Sequence, residues 1–180
     1  MITIVSMHDA ICDFLQKKVA DRFSLKSRTI NQDGDESFVF KSPQIIRSGW
    51  ILPKSIDSDI SEDEEFPFII PRIDKVENVK EQQISLATVE VYFGVYAPGT
   101  YDKNGKLVDD GSGYRDLWNL IESSRQAFFE DLTINNKYRL KEDYFEAEMI
   151  PEQIYPYWEG WLKAQFYVGF PMPKPDPNNF

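Results

Sequence analysis

Between Trp158 and Phe170 the chain alternates almost without a break. Trp158, Gly160, Leu162, Ala164, Phe166, Val168 and Phe170 fall on one side, and Glu159, Trp161, Lys163, Gln165 and Tyr167 on the other. A period of two belongs to an extended strand, whose successive side chains point to opposite faces. The apolar even-numbered side needs a core to lie on, so the segment commits the chain to a sheet with at least one buried face. The odd-numbered side is not simply polar, because Trp161 and Tyr167 sit among its charges. Large rings shown to water mark a contact surface, and this side is expected to meet another subunit.

The remaining elements follow from changes of period. Ser6 and Asp9 resemble a helix start. Met7, Ile11, Phe14, Leu15, Val19 and Phe23 then recur at three- and four-residue steps, which predicts an amphipathic helix from about residue 6 to 23, packed on the sheet. Residues 24–66 give no firm element: Phe38-Val39-Phe40 and Ile45-Ile46 have strand character, but Gly34, Pro43, Gly49 and Pro53 interrupt it. Within about 54–66, Asp57, Asp59, Glu62, Asp63, Glu64 and Glu65 lack a compensating base, so self-repulsion predicts a mobile, exposed loop. Phe66 to Ile73 reads as an edge strand, since Pro67 and Pro71 cannot donate to a ladder.

Ile84 to Tyr96 is the central strand. Ala87, Val89, Val91, Phe93 and Val95 line one face, and Ile84, Leu86, Thr88, Glu90, Tyr92 and Tyr96 the other, with both faces covered at least in part. Residues 98–113, rich in Asp, Asn and Gly, form a long loop or hairpin. A second helix runs from Tyr114 to about Leu132 with Leu117, Trp118, Ile121 and Phe128 in its stripe. Arg125 projects into that stripe, so it either snorkels to water or meets a carboxylate, Glu90 being one candidate.

A strand from about Leu140 to Ile150 sets Phe145, Ala147 and Met149 inward and Tyr144, Glu146 and Glu148 outward. The short connection 151–157 predicts an antiparallel hairpin with the alternating strand. The fold expected is α+β, a mixed, mainly antiparallel sheet with two amphipathic helices packed on one face. It comprises a single domain over 1–170 and an extended Pro-rich tail over 171–180.

Charge and cysteine content narrow the function. Thirty acids against twenty Lys plus Arg give a net charge of −10, which disfavours binding to a phosphate backbone. Cys12 is the only cysteine, so there is no intramolecular disulfide and no Cys-rich zinc site, and a reducing compartment fits. The first residues lack the basic part of a secretory signal, and the apolar run from Ile84 to Ala97 is interrupted by Glu90 and too short to span a bilayer. A soluble protein made in the cytosol, with no membrane partner, is expected.

Catalytic patterns are poor. His8 and Cys12 share a helix face, but the spacing alone reads as a surface histidine beside a half-buried cysteine. The acidic stretch from Asp57 fails as a calcium loop, where the turn needs glycine at Glu62 and the final carboxylate belongs at Phe68. Gly111-Ser112-Gly113 is opposed as a phosphate site by Asp109 and Asp110. Carboxylate pairs such as Glu146 and Glu148 occur on any acid-rich strand. No enzyme activity and no cofactor or metal is expected. What rises above background is the set of aromatics on outward strand faces: Tyr92, Tyr96, Tyr144, Trp161 and Tyr167. A second layer of the same domain, a neighbouring subunit or a stacked sugar or base would each cover them.

The N-terminal helix, Phe66-Pro-Phe-Ile-Ile, the strand Val89-Glu-Val-Tyr-Phe-Gly-Val-Tyr, the helix from Tyr114-Arg-Asp-Leu-Trp and the closing Tyr155-Pro-Tyr-Trp-Glu-Gly-Trp with its strand together carry a resemblance. Over about residues 6–170 this organisation resembles the tail terminator, or tail-completion, proteins of long-tailed bacteriophages, of the lambda tail-terminator type. The resemblance lies in the order of elements and offers no catalytic motif.

It implies a hexameric ring that caps the tail tube, ends its polymerisation and presents a surface to the head connector. The partners implied are the chain itself, the tail tube protein and a connector or neck protein. The location implied is the tail-neck region of the virion, after assembly in the bacterial cytoplasm. Subunit-contact candidates are the five aromatics and Arg125. The acidic loop and Asp102, Asp109 and Asp110 are candidates to reach a partner or the channel. Another neck or minor tail component, an acidic imitator of DNA that inhibits a host DNA-binding protein, and a small-molecule enzyme are the rivals.

Overall fold

The computed structural model describes residues 4–30, 36–50, 66–79 and 84–169. Two helices, α1 (Ile4–Lys18) and α2 (Ser112–Glu130), are separated by seven strands: β1 (Leu25–Ile30), β2 (Glu36–Lys41), β3 (Gln44–Ile45), β4 (Phe68–Val79), β5 (Ile84–Tyr96), β6 (Thr100–Tyr101) and β7 (Leu107–Val108). Three more, β8 (Thr133–Ile134), β9 (Tyr138–Met149) and β10 (Tyr157–Val168), follow α2. Among the described residues the fold is α+β. A curled, mostly antiparallel sheet runs in the order β3-β4-β5-β10-β9-β8, and β1-β2 and β6-β7 form two small hairpins. The parallel pair is β3 with β4.

The alternating segment is β10, and its register explains the core. Leu162 faces Val91, Ala164 faces Val89 and Phe166 faces Ala87 on β5, all with essentially no exposure. These side chains share one apolar cluster with Met7, Ile11 and Leu15 of α1 and Leu117, Leu120, Ile121 and Phe128 of α2. Full burial of each such side chain is worth about 1.5–3 kcal/mol. Gly160 belongs to the even side for a steric reason. A Cβ there would lie 2.9 Å from the Glu148 carbonyl oxygen and 3.0 Å from Ile121 Cδ1, so the glycine lets α2 come close to the sheet. Trp158 likewise packs where Gly113 has no side chain; a Cβ on Gly113 would be 2.1 Å from its indole nitrogen.

Several expectations shift in detail. The first helix ends at Lys18, five residues early, because Val19 leaves helical backbone (φ −123, ψ −69) and a 3-10 turn, Ala20–Arg22, follows. Lys17 and Lys18 suit that terminus by facing the negative end of the helix dipole. Residues 24–66, where no firm element was expected, contain β1, β2 and β3. The strand after Phe66 is longer than predicted and second from the sheet's end, since the short β3 covers it at Phe68 and Ile69. Pro71 costs the ladder a donor, but its carbonyl accepts from His8 Nε2 at 2.9 Å. The central strand keeps the predicted bounds, and of its thirteen residues only Ile84 and Tyr92 are not buried. The loop 98–113 contains the hairpin β6-β7. Asp57, Asp59, Glu62, Asp63, Glu64, Glu65 and the tail after Gly169 lie outside the described residues.

Candidate functional site

The face of β5 turned away from the apolar cluster carries the most organised polar group among the described residues. Glu90 stands in a strand of apolar neighbours, and β-pairing brings Arg72 of β4 and Lys163 of β10 to either side of it. Arg72 donates to Glu90 Oε2 from Nε at 2.8 Å and also from Nη2, while Lys163 Nζ lies 3.0 Å from Oε1. The carboxylate side chain is 5% exposed, so it needs both cations. Burial alone would raise its pKa; hydrogen bonds from Lys163, Arg72 and Tyr92 outweigh that and hold it below the ordinary value. Lys163 is raised in turn by its bond to Glu90.

These charges fix the aromatics beside them. The Arg72 guanidinium is 4.6 Å from the Trp50 ring centre and 4.7 Å from that of Tyr92, a stacked cation between two rings, and Nη2 donates to Tyr92 Oη at 2.9 Å. Lys163 Nζ lies 5.0 Å over Trp161, which pairs in register with Tyr92. Next to them is a cavity of about 270 Å³ lined by Trp50, Phe68, Ile70, Arg72, Tyr92 and Glu159 among others. It falls just below the roughly 300–1,000 Å³ of small-molecule sites, and suits one or two inserted side chains. Burial raises the pKa of Glu159, whose carboxylate makes no hydrogen bond or ion pair among the described residues.

The sequence-predicted surface residues are not all brought together. Tyr92 and Trp161 are neighbours and half-buried. Tyr96 is only 4% exposed and packs against Tyr157 at 5.6 Å within a second cluster with Phe66, Phe68 and Ile70, so its cover is intramolecular. Tyr167 lies six residues along β10 from Trp161, about 20 Å away. Tyr144 sits on β9 with Lys141 Nζ 5.8 Å over its ring. Arg125 does not meet Glu90, which is committed to Arg72 and Lys163. It bends outward, bonds Glu122 through Nε at 2.7 Å and Nη2 at 2.6 Å, and is 42% exposed. One turn of helix separates the pair, which makes Glu122 the nearer partner.

Asp102, Asp109 and Asp110 accept backbone hydrogen bonds at 2.8 Å, from Asn104 and Lys106, from Gly111 and from Ser112 respectively, so they shape the turns they stand in. Cys12 and His8 are also more enclosed than expected. Cys12 is fully buried and its thiol is pushed up to about 11 by burial, while His8 Nε2, bonded to a carbonyl, carries the hydrogen. Among the described residues no group of three or more His, Cys, Asp and Glu is placed to hold a metal, and no helix is long and apolar enough to cross a membrane.

Sequence reasoning missed Trp50, Arg72 and Lys163 as a unit. The available signal was Glu90 itself, a carboxylate inside an apolar strand, which needs a cationic partner when buried. Comparison with protein families, with curated proteins and with solved structures gives no match.

Proposed function

We propose that this chain is a structural assembly protein of the tail-terminator type: a ring that caps the bacteriophage tail tube, ends its polymerisation and offers a surface for joining the head. In this reading the two helices lie against one face of the sheet and the opposite face is the working surface. The observation that carries it is the Tyr92–Trp161 pair, held half-buried by the Arg72–Glu90–Lys163 group beside a cavity sized for a side chain. Rings clamped by stacked cations suit a protein contact, because Trp, Tyr and Arg dominate interface hot spots and lose little entropy when already fixed.

Stopping a polymer needs no covalent chemistry. One surface must match the tube and the other must not repeat it, and a closed ring uses up its own lateral contacts. A net charge of −10 suits a wall past which DNA moves, since the duplex is repelled from it. In this account the protein acts without a cofactor in the tail-neck region of the virion, and its partners are other copies of itself, the tube protein and the connector. The test is to add the purified chain to polymerising tube protein. Shortened tubes, each with a ring at one end, are expected, and tubes of unchanged length without end density would overturn the reading.

A further inference from the structure

The β1-β2 hairpin exposes several large apolar side chains close together. Phe38, Val39 and Phe40 are 42%, 51% and 61% exposed, and Ile30 is 56% exposed. Phe38 and Phe40 meet edge-on at 5.6 Å with Lys26 Nζ 5.2 Å over Phe38. Register sets Arg28 opposite Phe38 and Lys26 opposite Phe40, so one face of the hairpin is aromatic and basic. On the other face Leu25 and Ser27 are buried. The two strands hold Lys26, Arg28 and Lys41 against the single acid Glu36, in a chain of net charge −10. Among the described residues β2 pairs with β1 alone. A lone two-stranded ribbon is marginal in water, and an open apolar edge is a template for another chain.

The same molecule carries a complementary edge. β8 pairs with β9 only at Tyr138 and Arg139, so the outer edge of β9 from Lys141 to Met149 has no neighbouring strand among the described residues. On the core side of that edge Phe145, Ala147 and Met149 are only partly covered. On the other side Glu146 and Glu148 are exposed and make no ion pair among the described residues.

We infer that β2 of one copy adds as a strand to the open edge of β9 in the next copy. The inference rests on the ring reading above and names the segments that make the lateral contact. Alternation then sets Phe38 and Phe40 beside Phe145, Ala147 and Met149, and sets Val39 and Lys41 on the side of Glu146 and Glu148. Apolar meets apolar and Lys41 comes to the side of the two acids, while Lys26 and Arg28 stay on the aromatic side, one strand further out. Because donor and acceptor are different surfaces of one chain, the contact is head-to-tail, the type from which a closed ring is built. The hairpin's cations also suit a phosphate backbone, but the overall charge of −10 favours the chain's own acids.

The test uses the full chain and two variants. Phe38→Ser/Phe40→Ser damages the donor, and Glu146→Lys/Glu148→Lys the acceptor; all four positions are exposed, and far-UV circular dichroism with thermal unfolding checks that both variants fold. Mass is read by analytical ultracentrifugation. The wild type is expected as a ring. Each variant alone should need at least about 30-fold higher concentration to associate. An equal mixture should give one-to-one dimers and no ring, since each pair retains a single intact junction.

Rings of unchanged mass from both variants would overturn the inference while leaving the ring reading intact. So would a donor variant that keeps its ring and loses only binding to duplex DNA. A wild type that is monomeric at every concentration would overturn both.

Discussion

Replacing Glu90 by glutamine keeps the shape of the side chain and one oxygen, and removes the charge that Arg72 and Lys163 share. A hydrogen bond to a charged group is worth about 1.5–3 kcal/mol and a neutral one about 0.5–1.5, so three weakened contacts amount to roughly 3 kcal/mol. Arg72 and Lys163 are 22% and 27% exposed, and water takes up part of what they lose. The net cost expected is about 2 kcal/mol, or roughly 4–8 °C in Tm for a chain of this size.

The pH dependence has a definite sign. The folded pKa of Glu90 lies below its ordinary value of 4.5. Its contribution is therefore fully present above about pH 4.5 and is lost as pH falls through the lower folded value. Urea unfolding of wild type and Glu90→Gln from neutrality down to about pH 3.5 should give the full difference at neutral pH and a shrinking one in acid. Equal stabilities at neutral pH, or a difference that widens on acidification, would refute the assignment of Glu90 as an ionised, doubly paired carboxylate.

Trp161→Glu should leave secondary structure and unfolding close to wild type while reducing the assembled mass, because the ring is half-buried on the face away from the core; sedimentation and circular dichroism together check this. Gly94→Ala would put a Cβ 2.3 Å from Phe68 Cε1 and 2.7 Å from Phe66 Cε1, inside the second cluster. Overpacking of that kind costs about 1–3 kcal/mol, measured by denaturant unfolding. Cys12, its thiol raised to about 11 by burial, should react with iodoacetamide near pH 8 about 100-fold more slowly in the folded protein than in the unfolded chain. Mass spectrometry of timed samples reads that ratio, and equal rates would contradict the burial.

Where one face of an element decides its period, the sequence was legible. The alternation of β10, the doubly covered β5, the stripe of α2 and the β9-β10 hairpin all follow from apolar spacing, because each buries a defined side in the core. The hairpin β1-β2 was not legible. Its Phe38, Val39 and Phe40 are exposed together, so no inward-outward pattern marks the strand. The polar group was half legible: Glu90 announced a buried charge, but Arg72 and Lys163 become its partners only through sheet register, which joins residues eighteen positions away on one side and far along the chain on the other. Arg125 shows the converse, since a local partner one turn away was available and took precedence over the distant one.

The central claim is that this chain closes on itself into a ring, and the mass of the wild-type protein in solution, measured by sedimentation and paired with negative-stain images, tests it most directly. The account predicts annular particles of about six subunits with a central channel. A single species at the 21.0 kDa of the monomer across all concentrations, with no annular particles, would contradict it.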